Sequence, residues 1–505
     1  MAKHLSKLAR RSLIYGSGPL VALGWLILWR LMVSEKCLVE KLHQKVVTTA
    51  AVTDTVERQT VRESCLQTCK LEVVESIPEN LTFSRGPIPR TTYEAWESLI
   101  LLAGHRIDIA AYKSSLRGKH VLNDSCPISY YGDRIFDYLV EAGRERGVNI
   151  RLVENYPPKD PGDNEDGKSL ARRGVADRRS LHYEQVFGSG TMHSKFFLVD
   201  KKHLYLGSAN LDWRSLNQKM ELGVLLTDCP CLASDLQNLF EGYWRLSKGG
   251  PEKEENLESV PLTEATYNIT HPLTIRYEGV KTDIYLAASP LQLNGPSRTW
   301  DLDAILDVID SANDHLYIHV MDYIPMIVYQ QPQRYWPVID DAIRRAALER
   351  NVRVRLLVAA LHFVPRVLHF LKSLQAISGA AGQGSVEIKI FSVPVLTETQ
   401  SIIARERRTH NKFMVSEEKV IIGTSNWSGD YFMGTSGVAV AVRQSSLHRP
   451  FIDHMRDIFD RDWHSDYAHP LRTYMNRCLH SSTQHTDPIC QREKGPPQDS
   501  GWAGA

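Results

Sequence analysis

The feature that most constrains the fold is a short pattern that occurs twice, once in each half of the chain. The pattern is His-x-Lys, four further residues and a carboxylate, and its copies are His193–Lys195–Asp200 and His410–Lys412–Glu417. The residues between lysine and acid are mostly apolar in both copies, which is typical of a buried strand. Each copy is followed by a Gly-polar-x-Asn turn, at 207–210 and 423–426. Two linked patterns repeated in one order predict two similar structural units.

Segments upstream of the two copies also match each other. Residues 103–109 match 312–318, and residues 146–152 match 350–356. Each match lies where an amphipathic helix pattern leads into an apolar strand pattern, which indicates α/β units. With 505 residues, of which 43% are hydrophobic, the chain can form two such units and is too apolar for wholesale disorder. We therefore predict an α/β fold in which two repeats form one active site.

The two copies carry chemistry that suits a phosphodiester. Alternate residues of a strand face the same side, so the histidine and lysine of each copy point into a common space. Two ammonium groups stabilise negative charge on phosphate oxygens, one imidazole attacks phosphorus and the other protonates the leaving oxygen. The amides of Asn210 and Asn426 add hydrogen bonds, and this chemistry requires no metal and no cofactor. A lone His-x-Lys is usually a surface feature, and the repetition is what favours a catalytic role.

A long apolar stretch lies near the N-terminus. Residues 13–33 are apolar apart from Ser17 and Arg30, and roughly 20 such residues span a bilayer core. We interpret this stretch as a retained transmembrane helix, with a cleaved signal peptide as the alternative. The formal net charge is +1, so any attraction to polyanions must come from local clusters of charge.

Features beyond this stretch indicate an oxidising, glycosylating compartment. Sequons occur at Asn80, Asn123, Asn268 and Asn426, and we predict glycosylation at the first three because Asn426 lies inside the second turn pattern. All eight cysteines also follow the stretch, which favours disulfides over zinc binding in a lumen. Since lysine and arginine are balanced across the stretch, these features indicate a short cytosolic tail and a luminal remainder.

These observations divide the chain into six predicted segments. They are a cytosolic tail at 1–12, a transmembrane anchor at 13–33, a luminal stalk at 34–70, a first repeat at 71–283, a second repeat at 284–470 and a C-terminal tail at 471–505. The last residues, 491–505, are rich in Gly, Pro and polar residues, which is typical of disorder.

Beyond the motifs, the chain resembles the phospholipase D superfamily, and in particular its animal endolysosomal branch, which contains the third and fourth phospholipase D proteins of vertebrates. The two motifs and the segments 74–78, 207–216, 334–341 and 423–432 carry this resemblance, which extends from about Leu71 to Tyr467. It implies a duplicated α-β-α sandwich. It also implies a type II membrane protein that passes through the endoplasmic reticulum and Golgi to endosomes and lysosomes. The implied activity is an acid 5′-to-3′ exonuclease on single-stranded DNA and RNA, acting through a phosphohistidine.

The resemblance also implies roles for individual residues. The catalytic residues would be His193, Lys195 and Asp200 of the first motif and His410, Lys412 and Glu417 of the second. His193 would be the nucleophile and His410 the proton donor, although the reverse order stays open. The implied phosphate-binding residues are Lys195, Asn210, Lys412 and Asn426. Glu221 would orient a catalytic histidine, and we expect it to stand behind the first motif because the second repeat has Gly437 near the matching position. Two disulfides are implied, Cys65–Cys231 and Cys69–Cys229.

Other functions and partners stay open at this stage. A phospholipid phosphodiesterase or phosphatidyl transferase is one alternative, because water or a lipid alcohol can release the same phosphohistidine. A non-catalytic luminal protein is another, and it is disfavoured because both His-Lys pairs are intact. The expected partners are single-stranded nucleic acid, the membrane through the anchor, phospholipid and a second copy of the chain in a homodimer. Candidates for stacking on bases are Trp213, Tyr323, Tyr335, Trp336 and Trp427.

Overall fold

Two sets of strands and helices follow the same plan along the chain. This computed structural model describes residues 64–122, 127–247, 262–360, 365–380 and 382–479. The described strands of the first repeat are β1 (Lys70–Ser76), β2 (Arg90–Thr91), β3 (Arg106–Ala111), β4 (Ser114–Ser115), β5 (Asn149–Tyr156), β6 (Ala176–His182), β7 (Phe196–Val199), β8 (His203–Gly207), β9 (Leu211–Asp212) and β10 (Glu221–Thr227).

The second repeat follows with its own strands. They are β11 (Leu273–Tyr277), β12 (Val280–Ser289), β13 (Thr299–Trp300), β14 (His315–Val320), β15 (Tyr323–Ile324), β16 (Met326–Ile327), β17 (Arg334–Tyr335), β18 (Arg353–Ala359), β19 (Ser385–Phe391), β20 (Lys412–Ser416), β21 (Lys419–Gly423), β22 (Trp427–Ser428), β23 (Gly437–Arg443) and β24 (Ala468–Pro470).

Helices connect these strands in both repeats. The longer ones in the first repeat are Thr92–Leu102, Tyr130–Arg144, Glu165–Arg172 and Pro230–Leu246. Those in the second repeat are Asp301–Ser311, Val338–Arg350, Pro365–Gln375, Pro450–Trp463 and Leu471–Leu479. Short helices include Lys119–Leu122, Tyr183–Phe187, Arg214–Asn217, Glu398–Ile402 and Gly429–Met433.

The two main sheets have the same strand succession. It runs β2-β1-β10-β8-β7-β3-β5-β6 in the first repeat. In the second it runs β11-β12-β23-β21-β20-β14-β18-β19-β24 with β13 beside β12, so β11 and β24 are additional edge strands. The register also agrees, because Ser76 pairs with Glu221 where Ser289 pairs with Gly437. The strands shared by the two sheets therefore correspond residue by residue, and the predicted duplication is confirmed.

The helix that follows β2 shows how the sequence forms these elements. Thr91 and Glu94 form a capping box at its N-terminus, which satisfies backbone N–H groups that a helix start leaves without partners. One face buries Trp96, Leu99 and Ile100 against the sheet, and each such side chain contributes about 1.5–3 kcal/mol when removed from water. The counterpart helix in the second repeat, Asp301–Ser311, buries an apolar face in the same way.

The two repeats share a hydrophobic core. One cluster of buried side chains includes Leu206 and Leu222 of the first repeat together with Ile422 and Val440 of the second. A separate cluster packs the helices at 92–102 and 130–144 on the first sheet. Because the strands between these layers are buried almost throughout, each sheet is covered on both faces. The predicted α-β-α layering is present in this arrangement.

The folded part begins earlier and ends later than the predicted boundaries. Cys65 and Cys69, which we assigned to the stalk, form the disulfides Cys65–Cys231 and Cys69–Cys229 that the resemblance implied. At the other end, the helix Leu471–Leu479 buries apolar side chains in the core, so the predicted tail contains folded structure. The predicted limit between the repeats, at 283 and 284, falls inside β12.

Several predictions concern the chain outside these strands and helices. The predicted anchor at 13–33 and the sequon at Asn123 lie outside the described residues. Among the helices of the described ranges, none combines the length and apolarity needed to cross a membrane. The sequon at Asn80 is exposed and that at Asn268 is half-buried. The side chain of Asn426 is fully buried, so its sequon is not accessible in the folded protein.

Candidate active site

The two motifs meet at the junction between the repeats. Each motif begins beside the start of the strand that follows the other motif's turn, β23 or β10, through the bridges Met192–Ser436 and Met220–Thr409. The backbone N–H of His193 donates to the carbonyl of Ser436 at 3.1 Å. That of His410 donates to the carbonyl of Met220 at 2.7 Å. The prediction that both repeats contribute to one site is therefore confirmed by backbone contacts.

His193 is buried and has one free ring nitrogen. Its Nδ1 donates a hydrogen bond to the carbonyl oxygen of Thr424 at 3.1 Å, since a carbonyl can only accept. In the neutral ring the lone pair is then on Nε2, which is buried and has no hydrogen-bond partner. Burial, together with the charges of Lys195 and Lys412, holds the pKa of His193 well below its usual range.

His410 has a carboxylate partner, contrary to our expectation. Its Nδ1 lies 2.7 Å from Oε2 of Glu221, which also accepts a hydrogen bond from the Ser208 hydroxyl at 2.6 Å. We expected Glu221 to stand behind His193, and that expectation is wrong. The carboxylate of one repeat contacts the histidine of the other because the junction brings Met220 and Thr409 side by side. His193, and not His410, lacks a carboxylate on its Nδ1.

The two lysines are held in the same way in both repeats. Lys195 Nζ donates to the carbonyl of His193 at 2.6 Å, and Lys412 Nζ donates to the carbonyl of His410 at 2.8 Å. Both are buried. Burial lowers the pKa of Lys195 well below its usual range and lowers that of Lys412 to about 7, against the opposing charge of Glu221. Because these ammonium groups are buried, an anion placed between them would strongly stabilise their charged form.

The predicted phosphate-binding asparagines have unsatisfied side chains. Asn426 has neither amide atom hydrogen-bonded, and the amide oxygen of Asn210 also lacks a partner. Both side chains are buried. Since a buried polar atom without a partner costs about 1–3 kcal/mol, these groups fit a site that is completed by a ligand with donor and acceptor oxygens.

The acidic residues of the two motifs lie away from this site. The Asp200 carboxylate accepts hydrogen bonds from the backbone N–H groups of Gly104, His105 and Arg106 at 2.7–3.0 Å. Glu417 accepts one from the backbone N–H of Asn313 at 2.6 Å. Five residues of extended chain separate Lys195 from Asp200, a distance of roughly 16 Å. The prediction that Asp200 and Glu417 are catalytic is therefore wrong, because both fix the turn that begins the neighbouring strand.

Aromatic residues that the sequence did not single out surround His193. The ring of Tyr112 lies 4.9 Å from the imidazole, and the ring of Tyr431 lies 5.1 Å from it at a steep angle. Lys195 Nζ lies 5.1 Å from the centre of the Tyr112 ring. Tyr112 directly follows β3, the strand that pairs with β7 of the first motif, and Tyr431 closely follows the turn after the second motif. These positions are the sequence signal that would have identified them.

The aromatic residues considered for stacking have other positions. The side chains of Trp213, Tyr323 and Trp427 are buried, and the hydroxyl of Tyr323 donates to Asp340 at 2.6 Å. They support the core. Trp336 is half-buried and stacks on Phe432. Tyr335 is 62% exposed and is the most exposed of the five.

Comparisons with known proteins identify relatives over most of the chain. The family model described as "PLD3/4, PLD-like domain" matches residues 84–396. The chain is 37% identical to the protein named 5'-3' exonuclease PLD3 of Xenopus laevis over 440 residues, which cover 85% of this chain and 87% of that protein. It is 40% identical to 5'-3' exonuclease PLD4 of Homo sapiens over 413 residues, covering 79% of this chain and 78% of that protein.

A solved structure supports the fold alone. The crystal structure of phosphatidylserine synthase from Haemophilus influenzae Rd KW20 superposes with a TM-score of 0.51. It covers 75% of this chain and 85% of that protein, at 12% sequence identity. At this identity the match bears on the architecture and not on the substrate.

Proposed function

The chain belongs to the PLD3/4 family of PLD-like proteins, and on that premise we propose that it is a metal-independent phosphodiesterase that removes nucleotides from the 5′ end of single-stranded DNA and RNA. The observation that carries this proposal is the free, buried Nε2 of His193 beside two buried lysines and two unsatisfied asparagines. The names of the relatives support the nuclease activity and its polarity.

His193 acts as the nucleophile in this mechanism. The hydrogen bond from its Nδ1 to Thr424 leaves the lone pair on Nε2, and its lowered pKa keeps the ring neutral and able to attack. A bond forms between Nε2 and phosphorus, and the ester bond to the leaving oxygen breaks. The product is a phosphohistidine, which divides one difficult displacement into two easier ones.

His410 acts as the acid and then as the base. It gives its Nε2 proton to the leaving oxygen, and in the second step it takes a proton from the water that attacks phosphorus. The phosphorus–nitrogen bond then breaks and His193 is released. The Glu221 carboxylate on Nδ1 of His410 favours the protonated ring, which supports this order of roles over the reverse one.

A bound phosphate changes the electrostatic surroundings of both histidines. Burial and the charges of Lys412 and Lys219 lower the pKa of His410 well below its usual range. A phosphate anion between the lysines offsets these cations and raises the pKa of both imidazoles. Lys195, Lys412, Asn210 and Asn426 bind its oxygens, so His410 becomes a competent acid when substrate is present. No metal is needed, because the lysines provide the positive charge.

We also propose that the enzyme works in an acidic lumen. The two disulfides support an oxidising compartment during folding. Together with the apolar stretch at 13–33, they support a type II membrane protein that travels from the endoplasmic reticulum to lysosomes. Asn80 and Asn268 are the described sequons at which glycosylation is expected.

One assay tests the activity directly. Purified protein is incubated from pH 4.5 to 7.5 with a 3′-labelled single-stranded oligodeoxynucleotide and, in parallel, with phosphatidylglycerol vesicles. We expect stepwise shortening of the oligonucleotide from its 5′ end, strongest at acid pH, and no such activity in His193→Ala. Hydrolysis of lipid without shortening of the oligonucleotide would replace the nuclease with a lipid phosphodiesterase.

A further inference from the structure

His319 is a buried histidine on the strand that pairs with the second motif. It lies on β14 opposite Phe413 of β20, and its side chain is fully buried. In the first sheet Ala110 lies opposite Phe196, which like Phe413 follows the lysine of its motif. Ala110 is therefore the equivalent residue of the first repeat. The second repeat has a polar ring at a position where the first repeat has a methyl group.

The ring of His319 contacts the residues on both sides of His410. Its Nε2 lies 2.7 Å from the hydroxyl oxygen of Thr409, and its Nδ1 lies 3.4 Å from the side-chain amide nitrogen of Asn411. Successive side chains of an extended segment point to opposite faces. Thr409 and Asn411 therefore point away from the phosphate-binding groups when His410 points toward them. His319 thus lies behind His410 and contacts both of its neighbours in the chain.

A carboxylate fixes the other side of this ring. Oδ2 of Asp462 lies 3.2 Å from Nδ1 of His319, close enough for an ion pair. Oδ1 of Asp462 accepts hydrogen bonds from the Arg461 guanidinium at 2.7 and 2.9 Å. Arg461 also donates to Glu75 of β1 at 2.8 Å, and all four side chains are buried. The ring is therefore held by a polar network that extends into the first repeat.

Thr409 lies where this network meets the catalytic pair. It forms a backbone bridge with Met220, the residue before Glu221. The N–H of His410 donates to the carbonyl of Met220 at 2.7 Å, and Nδ1 of His410 lies 2.7 Å from Glu221. A displacement of Thr409 would therefore move His410 relative to both its carboxylate and the leaving oxygen.

The two histidines of the motifs have different needs for such support. A proton is transferred over a hydrogen bond of about 2.6–3.2 Å, and in the proposed mechanism His410 makes this transfer in both steps. His193 instead forms a bond to phosphorus. Of its neighbours, Ser194 has a hydroxyl 2.8 Å from that of Tyr243, whereas Met192 has an apolar side chain. The more extensive polar network lies behind the histidine that transfers protons.

We propose that His319 is a positioning residue for proton transfer, because it holds the two neighbours of His410 and thereby keeps that ring aligned with the leaving oxygen. This inference rests on the proposed function and adds a residue that touches no substrate atom. It also accounts for Ala110 in the first repeat, since the nucleophilic histidine transfers no proton.

The test compares two substrates that differ in the leaving group. A thymidine dinucleotide releases an alkoxide, which needs a proton, and thymidine 3′-(p-nitrophenyl phosphate) releases p-nitrophenolate, which does not. The value of kcat/KM reports the steps up to the phosphohistidine and excludes the later attack of water. We expect His319→Ala to lower kcat/KM about 10–100-fold on the dinucleotide, the effect of a misplaced catalytic group. On the nitrophenyl substrate the loss should stay below about threefold.

His315→Ala is the matched control. His315 is a second buried histidine on the same strand and the same face, 2.9 Å from Asp314, and lies roughly 13 Å from His319 along the strand. This variant should keep the wild-type kcat/KM on both substrates. An equal loss on both substrates in His319→Ala shows a structural role and overturns the proposal, as does the absence of any loss.

Thr409→Val tests the same contact with little change of shape. It removes the hydroxyl group that lies next to His319 and leaves the ring in place, so it disturbs the buried packing less. We expect the same selective loss on the dinucleotide. The double variant should lose little more than His319→Ala alone, since the two residues act through one contact. Fully additive losses would overturn the proposal.

A measurement without turnover separates this inference from the proposed nuclease activity. The Nδ1 proton of His410, which faces Glu221, is followed by NMR in protein with labelled histidine. Its signal should move or broaden in Thr409→Val and stay as in wild type in His315→Ala. An unchanged signal in Thr409→Val overturns the inference. If wild type cleaves neither substrate, the proposed function fails, and the NMR comparison still decides whether His319 positions His410.

Discussion

The first repeat supplies a carboxylate to the catalytic centre from a strand, and the second repeat holds its carboxylate on a helix instead. Glu221 at the start of β10 corresponds to Gly437 at the start of β23. At the start of the helices that follow β2 and β13, Thr92 corresponds to Asp301. Each repeat thus keeps one buried carboxylate near its turn. In the first repeat it reaches the histidine of the other repeat directly. In the second, Asp301 accepts a hydrogen bond from Ser425 at 2.8 Å.

This difference gives the two histidines different surroundings. The space that a side chain would need at Gly437 is occupied by Ser425, which would lie 2.1 Å from an added Cβ. A carboxylate like Glu221 therefore does not fit there, and His193 donates to the backbone carbonyl of Thr424 instead. A neutral carbonyl stabilises an imidazolium less than a carboxylate does. The same fold thereby provides one histidine suited to attack and one suited to exchange protons.

Removing either catalytic histidine should have the largest effect on activity. His193→Ala and His410→Ala should both lower kcat/KM on an oligonucleotide by about 10⁴-fold or more, because a nucleophile and a general acid are lost. A substrate with a p-nitrophenolate leaving group distinguishes the roles, since this group departs without a proton. It should restore much of the activity of His410→Ala and none of that of His193→Ala. The opposite pattern would reverse the two roles.

Removing the carboxylate of Glu221 tests whether the two histidines differ because only His410 has a carboxylate on its Nδ1. Glu221→Gln should lower kcat roughly 10²–10³-fold, because His410 loses the group that orients it and favours its protonated form. The pH dependence of kcat should also change, since the pKa of His410 falls without this carboxylate. Asp301→Asn is the matched change in the second repeat and should have the smaller effect on the pH profile. Equal shifts in both variants would contradict the assignment.

The disulfide Cys65–Cys231 has no counterpart at the equivalent position of the second repeat. Cys65→Ser combined with Cys231→Ser removes a link between residues 166 positions apart, and we expect a loss of about 2–4 kcal/mol in the free energy of unfolding. The equivalent of Cys231 at the second position of the later helix is Phe451, so the second repeat has an aromatic ring at this point. Denaturant unfolding measures the change, and kcat at 25 °C should stay close to that of wild type. A comparable loss of kcat would mean that the link also shapes the site.

A buried carboxyl group at the end of β5 predicts a dependence of stability on pH. Burial raises the pKa of Glu154 from 4.5 to about 7, although Ser114 and Arg178 donate to it. The folded state therefore holds a proton that the unfolded state releases, and this stabilisation is complete below pH 4.5 and lost as pH rises through 7. For Glu154, a pKa raised from 4.5 to about 7 corresponds to roughly 3 kcal/mol. The counterpart in the second sheet is Val358, which does not titrate.

Unfolding measured at pH 5 and at pH 7.5 checks this contribution. Glu154→Gln keeps the shape of the side chain and should reduce the difference in unfolding free energy between the two pH values. Glu145→Gln, at an exposed position on the same repeat, should leave the difference unchanged. If Glu154→Gln preserves the full difference, other groups are responsible for it.

Much of this architecture could be predicted because the information is local and repeated. The strands that carry His193 and His410 are recognisable from their apolar runs, and the duplication is visible in matched segments. The predictions for Asp200 and Glu221 were wrong for physical reasons. Asp200 belongs to the sequence motif, but an extended strand takes it to the other end of the sheet. Glu221 contacts the histidine of the opposite repeat, and no pattern along one repeat indicates a contact across the junction.

The missed residues Tyr112 and His319 were within reach of the sequence. Both lie just beyond the matched segments 103–109 and 312–318, and extending that alignment by a few positions pairs Ala110 with His319 and Lys113 with Asp322. Their significance depends on burial and on contacts with distant residues, which a sequence does not contain. The folded boundaries at Cys65 and Leu479 likewise depend on contacts with distant parts of the chain.

The bridges Met192–Ser436 and Met220–Thr409 hold two matching halves of one centre within a single polypeptide. In a pair of identical chains, every substitution would appear on both sides of the bound phosphate at once. A fused chain is free of that restriction, because each half can accept changes that would be harmful if copied. Glu221 corresponds to Gly437, and Lys113 corresponds to Asp322, so the two halves have accepted different residues at equivalent positions. Direction along a nucleic-acid strand is a property that only an unsymmetrical centre can acquire.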